Sequence, residues 1–382
     1  MKKNRIYIGV ALCLAAVLGT GCEDANYDTI DNGLYIKEAF DSKGLMSSKI
    51  TVDAEDVTVT LTPSLSRMLG ADVNVRLEID QTVLDSYNEA NASSYQVLPA
   101  EYYTMPSEGV IQAGFTSGES MIVTVKPFES EDGAQYALPL RVVSSQVGSL
   151  PTSSKYLVLC DKPLIQSTPY MNYQSHLKCE PLDEGSDNGM AKTWGLNLSE
   201  WSLEFWVWMD GYAINNQALF DSDEIYIRFG DAMIDYDLLQ IKLRGTQVNT
   251  VTHFSPNTWT HVAFTYDTAG LLTIYVNGVK DVTLQTKGGA VPVNYLQMVC
   301  SGVQYFRNNC MMAQIRFWNK CITASQIESN RFYSITPTDD MVGYWRMDEG
   351  SGDICSDCTK NGRHAHASAS LTWRENQRFD GK

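Results

Sequence analysis

Three segments of the sequence alternate apolar residues with residues whose side chains could hold a polar ring-shaped ligand. They span residues 202–209, 224–229 and 240–244. Successive side chains of a strand point to opposite faces, so each segment predicts a strand with one apolar face and one polar or aromatic face. Aromatic planes flanked by bidentate polar groups suit sugars, which present apolar C–H faces and hydroxyl rims. If the three strands are neighbours, the predicted glycan-binding residues form one groove: Trp206, Trp208, Tyr226, Arg228, Gln240 and Arg244.

A structural explanation competes with this prediction. For Trp206 a place in a second buried layer is the favoured interpretation, whereas for Trp208, Tyr226 and Arg244 both interpretations stay open. His261 lies within an apolar strand, which favours a hydrogen-bonded structural role.

Catalytic patterns are missing from the sequence. Glycoside hydrolysis needs two carboxyl groups about 5–5.5 Å apart for retention, and sandwich glucanases place them as Glu-x-Asp-x-Glu on one strand. The chain has neither this pattern nor a Gly-x-Ser-x-Gly elbow. We therefore predict that the protein is not an enzyme.

Metal binding has only fragmentary support. Cys355 and Cys358 form a CxxC without the second pair that a zinc ribbon needs, and His364 and His366 lack an identifiable third ligand. A loop clip or free thiols, and a solvated loop, are the favoured interpretations. Calcium remains an open cofactor, with oxygen ligands from four acidic residues: Asp221, Asp223, Asp231 and Asp235.

Composition limits the partners and suggests two domains. The 382 residues carry a formal net charge of −16 and no run of five basic residues, which argues against nucleic acid. All eight tryptophans lie between Trp194 and Trp373, so composition changes near residues 161–169. Short alternating runs on both sides of this join predict an all-β protein. Short helices are expected only near residues 84–91 and 323–330.

The N-terminus has the form of a secretion signal. Three cations within Met1–Arg5 precede an apolar run, Ile6–Leu18, which is too short for a comfortable membrane span. The ending Gly19-Thr20-Gly21-Cys22 resembles the lipobox of bacterial lipoproteins, although Gly19 stands where that motif usually has Leu. The resemblance implies removal of residues 1–21 and lipidation of Cys22. The acidic start of the linker 22–30 resembles the signal that sends Bacteroidota lipoproteins to the external face of the outer membrane.

Residues 31–162 are expected to form an immunoglobulin-like β-sandwich. Ordered segments in this region resemble the domain of unknown function numbered 1735, which occurs at the N-terminus of Bacteroidota surface lipoproteins. They include Leu34-Tyr35-Ile36, Leu98-Pro99-Ala100-Glu101-Tyr102-Tyr103 and Tyr136-Ala137-Leu138-Pro139-Leu140. The resemblance implies a spacer or an accessory glycan-binding module.

Residues 163–382 resemble the concanavalin A-like laminin-G superfamily, which implies a jelly-roll sandwich. The motifs are Leu203-Glu204-Phe205-Trp206-Val207, Trp259-Thr260-His261-Val262-Ala263, Leu272-Thr273-Ile274-Tyr275-Val276-Asn277-Gly278, Ile315-Arg316-Phe317-Trp318-Asn319 and Gly343-Tyr344-Trp345. One departure is Met312-Ala313-Gln314, where the family often has Ile-Asp-Glu.

The sequence thus predicts a lipid-anchored outer-membrane protein that binds glycans for a carbohydrate-uptake system. The resemblance implies three partners: a TonB-dependent transporter, a companion binding lipoprotein and glycoside hydrolases. The alternatives are an adhesion module that binds a host protein and a glycoside hydrolase.

Overall fold

The structure is a computed structural model that describes residues 32–39, 45–91, 93–129, 134–186 and 189–381. The predicted signal, Cys22 and the acidic linker lie outside the described residues. Strands dominate both halves of the chain, which confirms the all-β prediction. Among the described residues, no helix has the length and apolar character needed to cross a membrane.

The N-terminal half is an immunoglobulin-like β-sandwich with one helix. Helix α1 covers Gln81–Asn91, and single 3-10 turns cover Lys37–Ala39 and Ala100–Tyr102. The strands are β1 Leu34–Ile36, β2 Met46–Thr51, β3 Val57–Leu61, β4 Pro63–Leu65, β5 Val73–Ile79, β6 Gln96–Val97, β7 Tyr103–Thr104, β8 Glu108–Ile111, β9 Met121–Val125, β10 Tyr136–Val143 and β11 Lys155–Asp161.

Two sheets of this half enclose one apolar core. The larger has the order β2-β11-β10-β5-β8, with β6 beside β10, and the smaller has the order β3-β9-β7; β1 pairs with β4. The alternating run 51–61 is divided between two strands, because the exposed residues 53–56 form a bend. The strand predictions over 73–79, 121–125 and 136–143 are confirmed.

The described residues of the C-terminal half form 18 strands and two short helices. The helices are α2 Gly302–Tyr305 and α3 Ala324–Asn330. The strands are β12 Ile165–Met171, β13 Leu177–Cys179, β14 Leu196–Leu198, β15 Trp201–Met209, β16 Gln217–Asp221, β17 Ile225–Asp231, β18 Ile234–Leu243, β19 Thr246–Asn249, β20 Thr260–Tyr266, β21 Leu271–Val276, β22 Val279–Gln285, β23 Val291–Val293, β24 Gln297–Met298, β25 Cys310–Trp318, β26 Met341–Trp345, β27 Ile354–Cys355, β28 Ala365–Ala367 and β29 Thr372–Arg378.

Two large sheets pack face to face in this half. The first sheet has the order β22-β21-β20-β15-β25-β12-β29, with β26 beside β25, and the second sheet has the order β19-β18-β17-β16-β24-β13-β28-β27. Their inner faces share one apolar core, to which β15 contributes Phe205 and β17 contributes Ile227. Side chains of opposite parity on each strand therefore lie on the outer faces.

Local residue chemistry explains two features that the sequence predicted, a tight hairpin and a capped helix. Asn277 and Gly278 both have positive φ, 51° and 81°, as the tight hairpin between β21 and β22 requires. Thr323 caps α3 by accepting from the Gln326 backbone N–H, and the Gln326 side chain accepts from the Thr323 N–H. This capping box satisfies donors that the first helical turn leaves unpaired.

The outer face of the first sheet carries a buried ion pair. Arg316 Nη1 lies 3.2 Å from Glu204 Oε1, and His261 Nε2 lies 3.5 Å from the other oxygen of Glu204. Burial alone would raise the pKa of Glu204, but Arg316 and His261 hold this pKa below its ordinary value. All three side chains are at most 1% exposed, so His261 has the structural place predicted for it.

One contact between the two halves lies at the end of β11, where Asp161 is held from both sides. Asp161 accepts a hydrogen bond from the Tyr333 hydroxyl and lies 3.0 Å from Lys49 Nζ. Farther away, Arg378 pairs with Asp53 at 2.8 Å. Burial raises the pKa of Asp161 to about 6, although Lys49 acts in the opposite direction.

Asp161 should therefore make stability depend on pH. Its pKa is about 6 in the folded protein, against an ordinary value of 3.8, so between these values the folded state binds the proton more tightly. The stabilisation that this proton provides is lost as pH rises through about 6, with a slope of at most about 1.4 kcal/mol per pH unit. We expect Asp161→Asn to remove this slope when unfolding free energies of both proteins are compared from pH 4 to pH 7. Parallel curves would contradict the assignment.

Candidate functional site

The predicted binding residues lie on two opposite faces of the C-terminal sandwich. Strand β15, which carries Trp206 and Trp208, belongs to the first sheet, whereas β17 and β18 are neighbours in the second sheet. The condition for one groove across three strands is therefore not met. Both sheets direct apolar residues into the same core, so their polar faces point away from each other.

Trp206 occupies a second buried layer, as the competing interpretation proposed. It is 1% exposed and its indole Nε1 donates to the backbone oxygen of Arg331 at 2.6 Å. His261, Phe332 and Phe379 surround the ring, with ring centroids 5.2–5.4 Å away. Trp206 presents no surface to a sugar.

Replacing Trp206 should lower the stability of the fold. Trp206→Ala removes a fully buried indole, and such truncations cost about 3–5 kcal/mol because they leave a cavity. Chemical denaturation should show this loss. Trp208→Ala, at a half-buried position of the same strand, is the matched comparison and should cost clearly less. Equal losses in the two variants would contradict the buried-layer placement.

Trp208 belongs to a small cluster of rings on the outer face of the first sheet. Its ring lies 6.2 Å from Tyr170 of β12, and the Arg374 guanidinium lies 4.7 Å from the Tyr170 ring. Met311 of β25 stands between Trp208 and Tyr170 in the strand register. Trp208 thus remains a surface candidate, but its neighbours are not the ones that the sequence suggested.

Tyr226, Arg228 and Gln240 do come together, on the outer face of the second sheet. Arg228 and Gln240 are directly opposite each other on β17 and β18. Gln240 Oε1 accepts from Arg228 Nε at 3.1 Å and Nη2 at 2.8 Å, and Gln240 Nε2 donates to Asn249 Oδ1 at 3.0 Å. These bonds fix the orientation of the Gln240 amide, whose oxygen faces Arg228 and whose nitrogen faces Asn249.

The loop before β16 completes the network around Arg228. Asn216 Oδ1 accepts from Arg228 Nη1 at 2.8 Å and from the Tyr226 hydroxyl at 3.0 Å. The Asp231 carboxylate pairs with Arg228 Nη2. Arg228 and Gln240 are buried, whereas Tyr226, Asn216 and Asn249 are half-buried. The buried pair therefore orients side chains that reach the surface.

The network continues as a row of polar side chains across the second sheet. Strand register aligns one outward-facing residue from each neighbouring strand. The row, from the β19 edge, is Gln247, Lys242, Tyr226, Asp221, Gln297, Lys178 and His366. We call this row, with Asn216, Arg228, Asp231, Gln240 and Asn249, the polar face.

Burial raises the pKa of two groups on the polar face. It raises the pKa of Tyr226 to about 12, so the phenol is neutral and donates its proton at physiological pH. It also raises the pKa of Asp221, although hydrogen bonds from Gln297 Nε2 at 2.6 Å and from Tyr295 act in the opposite direction. The polar face thus offers side-chain amides, a phenol and the Lys242 and Lys178 ammonium groups to a polar ligand.

Arg244 lies apart from the network. It occupies the hairpin turn between β18 and β19 with φ 54°, followed by Gly245 with φ 79°. Its Nη1 donates to the backbone oxygen of Ala290 at 2.7 Å, and its Nε lies 3.3 Å from Glu224. These contacts give Arg244 a role in holding the turn.

The predicted metal ligands do not form one group. Asp223 accepts from the Asn294 backbone N–H at 2.6 Å, and Asp231 pairs with Arg228. Asp221 is bonded within the polar face, whereas Asp235 lies near Asp237 and His253. The four calcium candidates are therefore separated.

The histidine and cysteine motifs also separate. His366 Nε2 contacts Glu180 Oε1 at 2.5 Å, whereas His364 Nδ1 accepts from the Asp357 backbone N–H. Cys355 is buried in the main core and Cys358 packs near a different cluster, both as free thiols. The free-thiol interpretation therefore fits these two residues.

Comparison with known proteins supports this architecture. Residues 183–328 match the model of the concanavalin A-like lectin/glucanases superfamily. A family model for an N-terminal domain matches residues 30–148. No curated protein sequence matches the chain.

Solved structures of proteins from several organisms match all or part of the chain. A Bacteroides ovatus ATCC 8483 protein, provisionally assigned as carbohydrate binding, is 20% identical with a TM-score of 0.52; the match covers 91% of this chain and all of that one. EndoBT-3987 of Bacteroides thetaiotamicron is 18% identical over 34% of this chain and 30% of its own, with a TM-score of 0.28. A Limulus polyphemus pentraxin is 11% identical over 54% of this chain and 96% of its own, with a TM-score of 0.33. The two-domain fold is thus shared with the Bacteroides ovatus protein.

Several residues of the polar face were missed by the sequence analysis. Asn249 alternates with Gln247 on β19, a signal that was available but short, since this strand has four residues. Asn216 lies in a loop, and Lys178, Gln297 and His366 belong to strands of two or three residues far apart in sequence. Strand pairing alone unites them.

Proposed function

We propose that the protein binds glycans on the polar face of its C-terminal domain and does not cleave them. The lectin-type superfamily match over residues 183–328 supports this proposal. The provisional assignment of the Bacteroides ovatus protein to carbohydrate binding supports it further.

The arrangement around Arg228 is the observation that carries the proposal. A buried guanidinium with three side-chain partners is costly to desolvate, and its hydrogen bonds offset that cost only when the partners are held in place. Here it orients Asn216 and Gln240, and Gln240 orients Asn249. Fixed amides beside the half-buried Tyr226 ring are the combination that sugar hydroxyls and C–H faces require.

The carboxylates of the polar face favour binding over hydrolysis. A glycosidase needs one carboxylic acid and one free carboxylate on either side of the scissile bond. Asp231 is paired with Arg228, and Asp221 accepts hydrogen bonds from Gln297 and Tyr295. Glu204, on the opposite sheet, is fully buried. None of the three is poised for that chemistry.

Binding should depend on Tyr226. We expect the two-domain chain to bind members of a broad panel of plant, fungal and host glycans, and Tyr226→Ala to weaken the best hit at least tenfold, about 1.4 kcal/mol. Trp208→Ala, an aromatic truncation on the opposite face, is the matched control and should retain affinity. Calorimetric titration provides the measurement.

Three other outcomes are informative. Loss of affinity in Trp208→Ala alone would move the site to the ring cluster with Tyr170 and Arg374. Cleavage of a bound glycan would replace the proposal with a hydrolase. Absence of binding to every glycan would reject the function and direct attention to a host protein ligand.

We further propose that Cys22 carries a lipid that anchors the protein at the external face of the outer membrane. There it would deliver glycans to an uptake system with a TonB-dependent transporter, a companion binding lipoprotein and glycoside hydrolases. The lipobox-like sequence and the acidic residues after Cys22 support the proposal. Acyl chains contribute about 0.8 kcal/mol per buried CH₂, which is sufficient for anchoring when more than one chain is attached.

Cys22→Ser tests the anchor. The variant should lose incorporation of labelled fatty acid and leave the outer-membrane fraction, because serine cannot form the thioether to the lipid. Protease treatment of intact cells should degrade the native protein if it faces outwards. A variant that remains lipid-labelled would contradict the assignment of Cys22.

A further inference from the structure

We infer that the C-terminal domain has a site for a divalent transition-metal ion of the zinc class, formed by Asp235, Asp237 and His253. One ligand atom from each of these residues lies within 4.8 Å of the other two. Ligand bonds of about 2.0–2.2 Å place the donor atoms of a tetrahedral ion roughly 3.4 Å apart, so small side-chain adjustments bring these three donors onto one ion. In the described part of the chain, these three residues meet the distance criterion for sharing one metal ion.

The strand geometry brings the two carboxylates to one side. Asp235 and Asp237 are two residues apart on β18, so their side chains share a face of that strand. Between these residues and Gln240 the pairing of β18 with β17 shifts register, from Ile234 opposite Asp231 to Leu239 opposite Phe229. Asp235 and His253 are exposed and Asp237 is half-buried, so the proposed metal site is open to solvent.

His253 is held against these carboxylates by the loop after β19. Its Nδ1 lies 3.0 Å from both carboxylate oxygens of Asp237. The next residue, Phe254, is buried against Phe229, with ring centroids 5.1 Å apart. The Phe254 backbone N–H donates to the Asp237 backbone oxygen at 3.0 Å. The imidazole contact and the adjacent Phe254 together hold this loop against β18.

A second contact holds the other end of the loop. The Asp281 carboxylate accepts from the backbone N–H of Val251 at 2.7 Å and from that of Thr252 at 3.0 Å. The backbone on both sides of His253 is thus held before an ion binds, which lowers the backbone entropy lost on binding. Supporting contacts of this kind orient metal-binding side chains in known sites.

The donor types select the class of metal. Calcium takes six to eight oxygen ligands, whereas an imidazole with carboxylates suits zinc and neighbouring transition metals. Three protein ligands leave at least one coordination position of a tetrahedral ion open to water. The side chain of His253 is 56% exposed, so ions can enter from solvent.

Calorimetry on the chelator-treated two-domain chain tests the site. We expect Zn²⁺ to bind with 1:1 stoichiometry and at least tenfold more tightly than Ca²⁺. His253→Gln and Asp237→Asn should each weaken Zn²⁺ binding at least tenfold. His176→Gln, which removes an imidazole that contacts Ser368 outside the cluster, is the matched control and should leave the affinity unchanged.

Two readouts guard against misfolding and against binding by thiols. In the unmodified protein, Zn²⁺ should shift the imidazole nitrogen resonances of His253. Co²⁺ should bind without the intense near-ultraviolet band that cysteine ligands produce. Equal Zn²⁺ affinity in His253→Gln, a thiolate band, or a preference for Ca²⁺ would each overturn the inference. Glycan binding by Tyr226 variants is measured separately, so either proposal can fail alone.

Discussion

The two large sheets of the C-terminal domain share one apolar core, and this constraint decides where each polar side chain of the domain can lie. Strands β15, β17 and β18 all place alternate apolar residues in that core. Because β15 approaches it from one sheet and the other two from the opposite sheet, their remaining side chains lie on opposite surfaces. Residues that look equivalent in sequence therefore differ in function.

The two outer surfaces meet different environments. Residues from the 322–344 region pack over the outer face of the first sheet, so polar groups there need partners within the protein. Arg316 pairs with Glu204, His261 Nε2 lies 3.5 Å from the second oxygen of Glu204, and Gln314 donates to Gln166 and Ser334 at 2.7 Å each. A single missing partner would leave a buried charge or amide unsatisfied, at a cost of about 1–3 kcal/mol or more. This face supports the fold.

The outer face of the second sheet retains access to solvent and carries a different kind of network. Arg228 and Gln240 are buried, but the amides and phenol that they orient reach the surface. Preorganised polar groups lose less entropy when a ligand binds, which is why rigid sheets make effective binding surfaces. The contrast between a covered network and an open one explains why we place glycan binding on the second sheet.

The sequence by itself determined the class of fold, the main strands and the capped helix α3, because alternation and capping are local patterns. It also placed Tyr226, Arg228 and Gln240 on one face, since β17 and β18 are consecutive strands that pair directly. It could not identify what covers Trp206, because Phe332 and Phe379, which cover it, follow more than a hundred residues later. Nor could it bring Gln297, Lys178 and His366 into one row. Sheet order depends on which distant strands pair, and that choice is made by the shared core and not by any local segment.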